Sequence, residues 1–134
     1  MYRYLDHRTA DLAPAEAFIV DATRKWVGAV NGRTCPADAV ASDFLDRGLM
    51  GGIGAFHRIL MVLNVRAGLR FGFAMEGCPL IAEGEALILS LLQDECCRAD
   101  TLQCIFGKEH VAEVCAAAID DFNAALHVAG MPLQ

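Results

Sequence analysis

No stretch of this chain is long and apolar enough to cross a bilayer as a helix, which takes roughly 20 mostly apolar residues. The best candidate, 49–73, is interrupted by His57, Arg58, Arg66 and Arg70. The opening Met-Tyr-Arg-Tyr-Leu-Asp-His-Arg contains no apolar core of a secretion signal. A cytoplasmic protein with no membrane partner is therefore expected. Basic charge is also scarce. Eleven Lys and Arg stand against seventeen Asp and Glu, a net charge of −6. Nucleic-acid binding draws on clustered cations that neutralise phosphates, and the scattered bases here disfavour a nucleic-acid partner. Motifs of catalysis are missing too: there is no G-x-S-x-G elbow and no Ser-His-Asp or Cys-His arrangement. No internal repeat, linker or low-complexity tract divides the chain.

Cysteine, by contrast, is plentiful. The six are Cys35, Cys78, Cys96, Cys97, Cys104 and Cys115, and none forms a C-x-x-C pair. Without a secretion signal, the default is reduced thiols, most of them serving as small buried apolar residues. Cys104 and Cys115, set among apolar residues at helical spacing, are expected to be buried.

The length, 134 residues, fits one domain that buries roughly 65–70% of its unfolded surface and needs no disulfide or metal to hold a core. Apolar residues make up 55% and charged residues 21%. That excess implies apolar surface left outside the monomer core, for which a homodimer interface is the simplest account.

The periodicity predicts an all-α fold, a compact bundle of five or six helices with short loops, as a single helical domain over 1–134. Residues 1–12 read as a polar arm with Tyr2 and Tyr4, placed on the body or on a second subunit. A helix over 14–30 starts at Pro14, with Glu16 suited to the positive end of its dipole. Phe18, Ala22, Trp26 and Ala29 share its apolar face, so Trp26 should be buried. Asp21 pairs with Lys25 four residues on, and Asn31-Gly32 ends the helix. A second helix begins near Pro36, capped by Thr34 or Cys35, with Val40, Phe44 and Leu45 inward and Gly48 as its stop. A third, 53–67, is apolar nearly all round, and such a helix is either central or shared between subunits. Residues 69–75 read as irregular. A fourth helix spans 83–97, with Asp94 and Glu95 opposing its dipole. A short one capped by Asp100-Thr101 ends at Gly107. The last covers 108–129, with Val111, Val114, Cys115, Ala118, Phe122 and Leu126 as its core stripe.

Candidate chemistry centres on Cys35, Cys78 and His57. Two of the four prolines follow cysteine, in Cys35-Pro36 and Cys78-Pro79. A thiol at a helix start faces the positive dipole end, which favours the thiolate that binds soft metals or haem iron and reacts with oxidants. His57 sits within the most apolar helix. Such a histidine is more often hydrogen-bonded in a core or interface than a ligand, and it gains interest only if it lines a cavity with Cys35 or Cys78. The glycines 51, 52 and 54 lack the strand and third glycine of a dinucleotide loop. The 36–67 pair is a poor helix-turn-helix, since its second helix offers few side chains that read bases. His110 and Glu113 reverse the Glu-x-x-His order of di-iron bundles.

The leading expectation is thus a non-enzymatic helical interaction or regulatory module acting as a homo-oligomer, with a protein partner and no required cofactor. The alternative is a small-ligand, metal, haem or redox sensor using Cys35 and Cys78.

Overall fold

The computed structural model describes Tyr4, residues 7–67 and residues 72–133. Tyr2 and 69–71 of the expected irregular stretch lie outside the described residues. The helices are α1 (Pro14–Asn31), α2 (Pro36–Asp46), α3 (Ile53–Ala67), α4 (Glu83–Gln93), α5 (Glu95–Phe106) and α6 (Glu109–Val128). Single 3-10 turns cover Thr9–Asp11 and Met50–Gly52. Among the described residues there is no strand, only an isolated antiparallel bridge between Arg8 and Leu80. The fold is an all-α bundle, and no described helix is long and apolar enough to cross a membrane.

The helix starts follow local chemistry. Glu16 accepts from the Ala13 backbone N–H and Glu85 from that of Ala82, each at 2.9 Å. Each acid sits three residues past its cap and satisfies a donor that the helix leaves open. Cys35 caps α2 by position, ahead of Pro36. Lys25 contacts Asp21 at 3.4 Å, as expected, and also Asp43 at 2.6 Å, which ties α1 to α2.

Two boundaries are corrected, and the first is that Asp100-Thr101, expected to cap a separate short helix, lies inside α5, which already begins at Glu95. Second, the expected helix 83–97 stops at Gln93, and Asp94 joins α4 to α5. Asp94 still stands at the C-terminal end of α4, against its dipole, but it also serves α5. Its carboxylate accepts from the Cys97 backbone N–H at 3.2 Å and caps α5, whose first turn also gains Glu95. The carbonyls freed at the end of α4 are met by side chains. Arg98 donates to Leu91 at 2.7 Å and to Leu92 at 3.3 Å, and Asn123 donates to Leu92 at 3.0 Å. The Leu91 and Leu92 carbonyls at the kink thus have side-chain partners, as buried backbone requires.

The enclosed helix is α4: Gly84 to Leu89, Leu91 and Leu92 are all buried. The same core cluster holds Trp26, Phe44, Phe56 and Phe122, the last three in mutual ring contact at 5.2–6.3 Å between centroids. Three inward assignments fail. Leu45 is 66% exposed, Val114 is 43% exposed and Cys104 is exposed. Cys115 is buried, as expected, but it is the only buried one of the six cysteines, against the expectation that most are.

The described part of the N-terminal arm, Tyr4 and residues 7–12, packs on the body, one of its two expected placements. Tyr4 is buried and donates to Glu16 at 2.5 Å. Thr9 N–H donates to the Pro79 carbonyl and Ile81 N–H to that of His7, both at 2.9 Å. The 72–82 segment it meets is held by a buried ion pair. Arg24 and Glu85 form two hydrogen bonds of 2.9 Å. Arg24 also donates to the carbonyls of Cys78 and Leu80, while Glu85 accepts from the Ala74 N–H. The hydrogen bonds and charge of Glu85 raise the Arg24 pKa against the opposing effect of burial. Four hydrogen bonds from Arg24 and four onto the Glu85 carboxylate make this a buried pair that the interior tolerates.

Candidate interaction surface

α3 and α6 pack antiparallel. Gly52 meets Ala125 and Phe122 at one end, so closely that a Cβ there would stand 2.8 Å from the Ala125 Cβ. Arg58 binds Asp121 at 3.0 Å in the middle. At the other end Met61 and Val65 share a cleft with Val114 and His110.

The inward sides of both helices are filled by large apolar residues, including Phe56, Ile59, Leu60 and Leu63 from α3 and Ile119, Phe122 and Leu126 from α6. The outward sides form two lines. Gly51, Gly54, Arg58, Met61 and Val65 are exposed at the α3 end, as are His110, Val114, Ala117, Asp121, Ala124 and Val128 along α6. Both lines advance by alternating steps of three and four, the spacing with which a helix presents a seam to another helix.

Chemistry varies along this face. At one end, an apolar cleft of about 290 Å³ is lined by Met61, Val62, Val65, His110, Val111 and Val114. Within it Met61 is 36%, Val65 65% and Val114 43% exposed. At the other end, glycines and alanines line a wider cleft of about 650 Å³, with Val128 at its rim. Arg58 and Asp121, both largely exposed, also line this wider cleft. A face of this make-up can bury apolar area against another surface. It holds no nucleophile with an adjacent base.

The residues singled out for chemistry lie apart from this face. Cys35 is exposed at the start of α2. Cys78 is half-buried where the 72–82 segment crosses α1, its carbonyl held by Arg24. His57 accepts a hydrogen bond at Nδ1 from the Trp26 indole N–H, 3.0 Å away, with the rings 5.7 Å apart. Neutral His57 therefore carries its hydrogen on Nε2. Among the described residues, no three His, Cys, Asp or Glu side chains converge as a metal would need, so Cys35, Cys78 and His57 form no common cluster. Cys96, Cys97 and Cys104 are exposed on α5, and Asp94 raises the Cys97 pKa, chiefly through its charge.

Sequence reasoning missed Val114, Arg58 and Asp121 as members of one surface. The signal was present in the line 110, 114, 117, 121, 124, 128. Val111, Cys115, Ala118 and Phe122 masked it by giving α6 a stronger apolar stripe one step away.

Comparison with protein-family models, curated proteins and solved structures finds no match for this chain.

Proposed function

We propose that this protein is a non-enzymatic helical interaction module that acts as a homo-oligomer, in the cytoplasm, through the outward face of α3 and α6. The observation that carries this reading is the exposure of Met61, Val65 and Val114 around one apolar cleft. A helix apolar nearly all round is either enclosed or shared. The enclosed place is taken by α4, and α3 keeps part of its apolar surface outside. Burying such side chains is worth about 25 cal/mol per Å² of apolar area, which favours association.

The test is sedimentation velocity over a concentration series, with Val65→Asp and Val114→Asp as probes. Both positions are exposed, so the charged variants should fold. Wild-type protein should self-associate and both variants should shift to monomer. A wild-type monomer at every concentration would remove the homo-oligomer reading.

A second reading is a small-ligand, metal, haem or redox sensor at Cys35 and Cys78. Its support is the exposed position of Cys35 at the N-terminal end of α2. It requires that Cys35→Ser or Cys78→Ser abolish haem or zinc binding, or an oxidation response, while helix content is retained.

A further inference from the structure

We infer that the partner on this face is a second copy of the chain, related by a two-fold axis parallel to α3 and α6, so that α3 of one protomer lies on α6 of the other. The inference rests on the reading of this face as the contact surface and adds its geometry. Two faces related by a two-fold meet with the axis lying between them. For an antiparallel helix pair there are two simple settings. With the axis across the helices, α3 lies on α3 and α6 on α6. Arg58 then opposes the partner's Arg58, and Asp121 opposes the partner's Asp121. With the axis along the helices, Arg58 opposes the partner's Asp121 and Asp121 opposes the partner's Arg58. Arg58 and Asp121 sit side by side at the middle of the face, 3.0 Å apart, so the second setting makes four alternating charges and the first sets like against like. Like charges in register are the arrangement that interfaces exclude.

The same setting matches the rest of the face. Position along the helices is preserved, so the apolar end meets the apolar end: Met61 and Val65 of each copy lie over Val114 and His110 of the other. The small-residue end meets its own counterpart, where Gly54 and Ala124 allow close backbone approach. The product is a four-helix layer with antiparallel neighbours. From His110 to Val128, α6 rises about 27 Å, and two helices side by side are roughly 20 Å wide. The footprint is then on the order of 500 Å² in projection, and more over ridged side chains, close to the roughly 800 Å² per partner of a standard interface.

Sedimentation of charge variants tests the register. Arg58→Asp and Asp121→Arg should each raise the dimer dissociation constant about tenfold or more, and the double variant should bring it back. Mixing the two single variants should also form dimer. Arg58→Gln gives a change of opposite sign in the two settings: it weakens the proposed dimer and tightens the alternative one, where it relieves Arg–Arg repulsion. The intramolecular pair is exposed and contributes little to folding, so the variants should keep wild-type helix content by circular dichroism. A dimer that Val65→Asp dissociates but single reversals leave unchanged, or that Arg58→Gln tightens, overturns the register alone. A monomeric wild type overturns the register together with the self-association reading.

Discussion

Trp26 is fully buried, yet its indole N–H is not stranded, because His57 Nδ1 receives it. The residue therefore contributes both area and a polar link from α1 to α3. Trp26→Ala should cost about 3–5 kcal/mol of unfolding free energy by urea titration. Trp26→Phe keeps most of the area and removes the donor, for about 1 kcal/mol. A loss under about 1 kcal/mol for the alanine variant would mean that the site collapses around the cavity. Cys115 gives a prediction in pH. Burial pushes its thiol from 9.0 up to about 11, against a smaller lowering by Arg98. Above pH 9 the unfolded chain sheds this proton while the native state keeps it up to about pH 11. The contribution is thus complete below pH 9 and is lost as pH rises through that window, at a slope of at most about 1.4 kcal/mol per unit. Denaturation curves across the window should show a shallower alkaline decline for Cys115→Ala than for wild type. Equal slopes would refute it.

At the scale of elements, α1 and α3 were legible because their start signals and apolar periods agree: Pro14 and Asn31 bound α1 as observed, and 53–67 is α3 to the residue. The α4–α5 break was not. Leu91, Leu92 and Leu102 kept the apolar pattern running, and the one local start signal, Asp94 as the cap of α5, was hidden within it. Arg98 and Asn123 stabilise the kink from a distance in sequence by meeting the Leu91 and Leu92 carbonyls. Cys104 was misplaced for a related reason. Its neighbours Leu102, Ile105 and Phe106 are apolar, but α5 turns inward along Arg98 and Leu102. Asp94→Ala removes the α5 cap and should cost about 0.5–2 kcal/mol, read as a lower chemical-denaturation midpoint. An unchanged midpoint would show that solvent replaces the carboxylate at the Cys97 N–H. Gly84 has a stricter demand. A Cβ there would stand 2.6 Å from the Phe73 ring and 2.8 Å from the Gly72 carbonyl oxygen, while the Gly84 N–H already donates to that oxygen at 2.7 Å. Gly84→Ala must displace the segment before α4 and should destabilise despite the better helix propensity of alanine, worth about 1 kcal/mol the other way. A rise in stability would show that the segment yields at no cost.

For the whole molecule, the apolar excess read in the composition has a location. The core takes most of α4 and the inner faces of the other helices, and the remainder includes Met61, Val65 and Val114 on one side. Composition alone could not place it, because burial is decided by which of two apolar stripes on α6 turns inward. If that remainder is covered by a second copy, folding and association are linked, and the midpoint of thermal unfolding must depend on concentration. Anything that binds only the native state adds about 2.7 kcal/mol of stability at a free concentration of 100 times its dissociation constant. For a chain of 134 residues, each kcal/mol moves the midpoint by roughly 3–6 °C. Wild-type protein should therefore melt on the order of 10 °C higher at the top of such a concentration range than at the bottom. Val65→Asp should abolish that dependence and melt near the low-concentration wild-type value, since the substitution lies outside the monomer core. A wild-type midpoint independent of concentration would leave the apolar cleft uncovered by its own kind. A Val65→Asp protein that melts far below the dilute wild type would place that side chain in the monomer's stability instead.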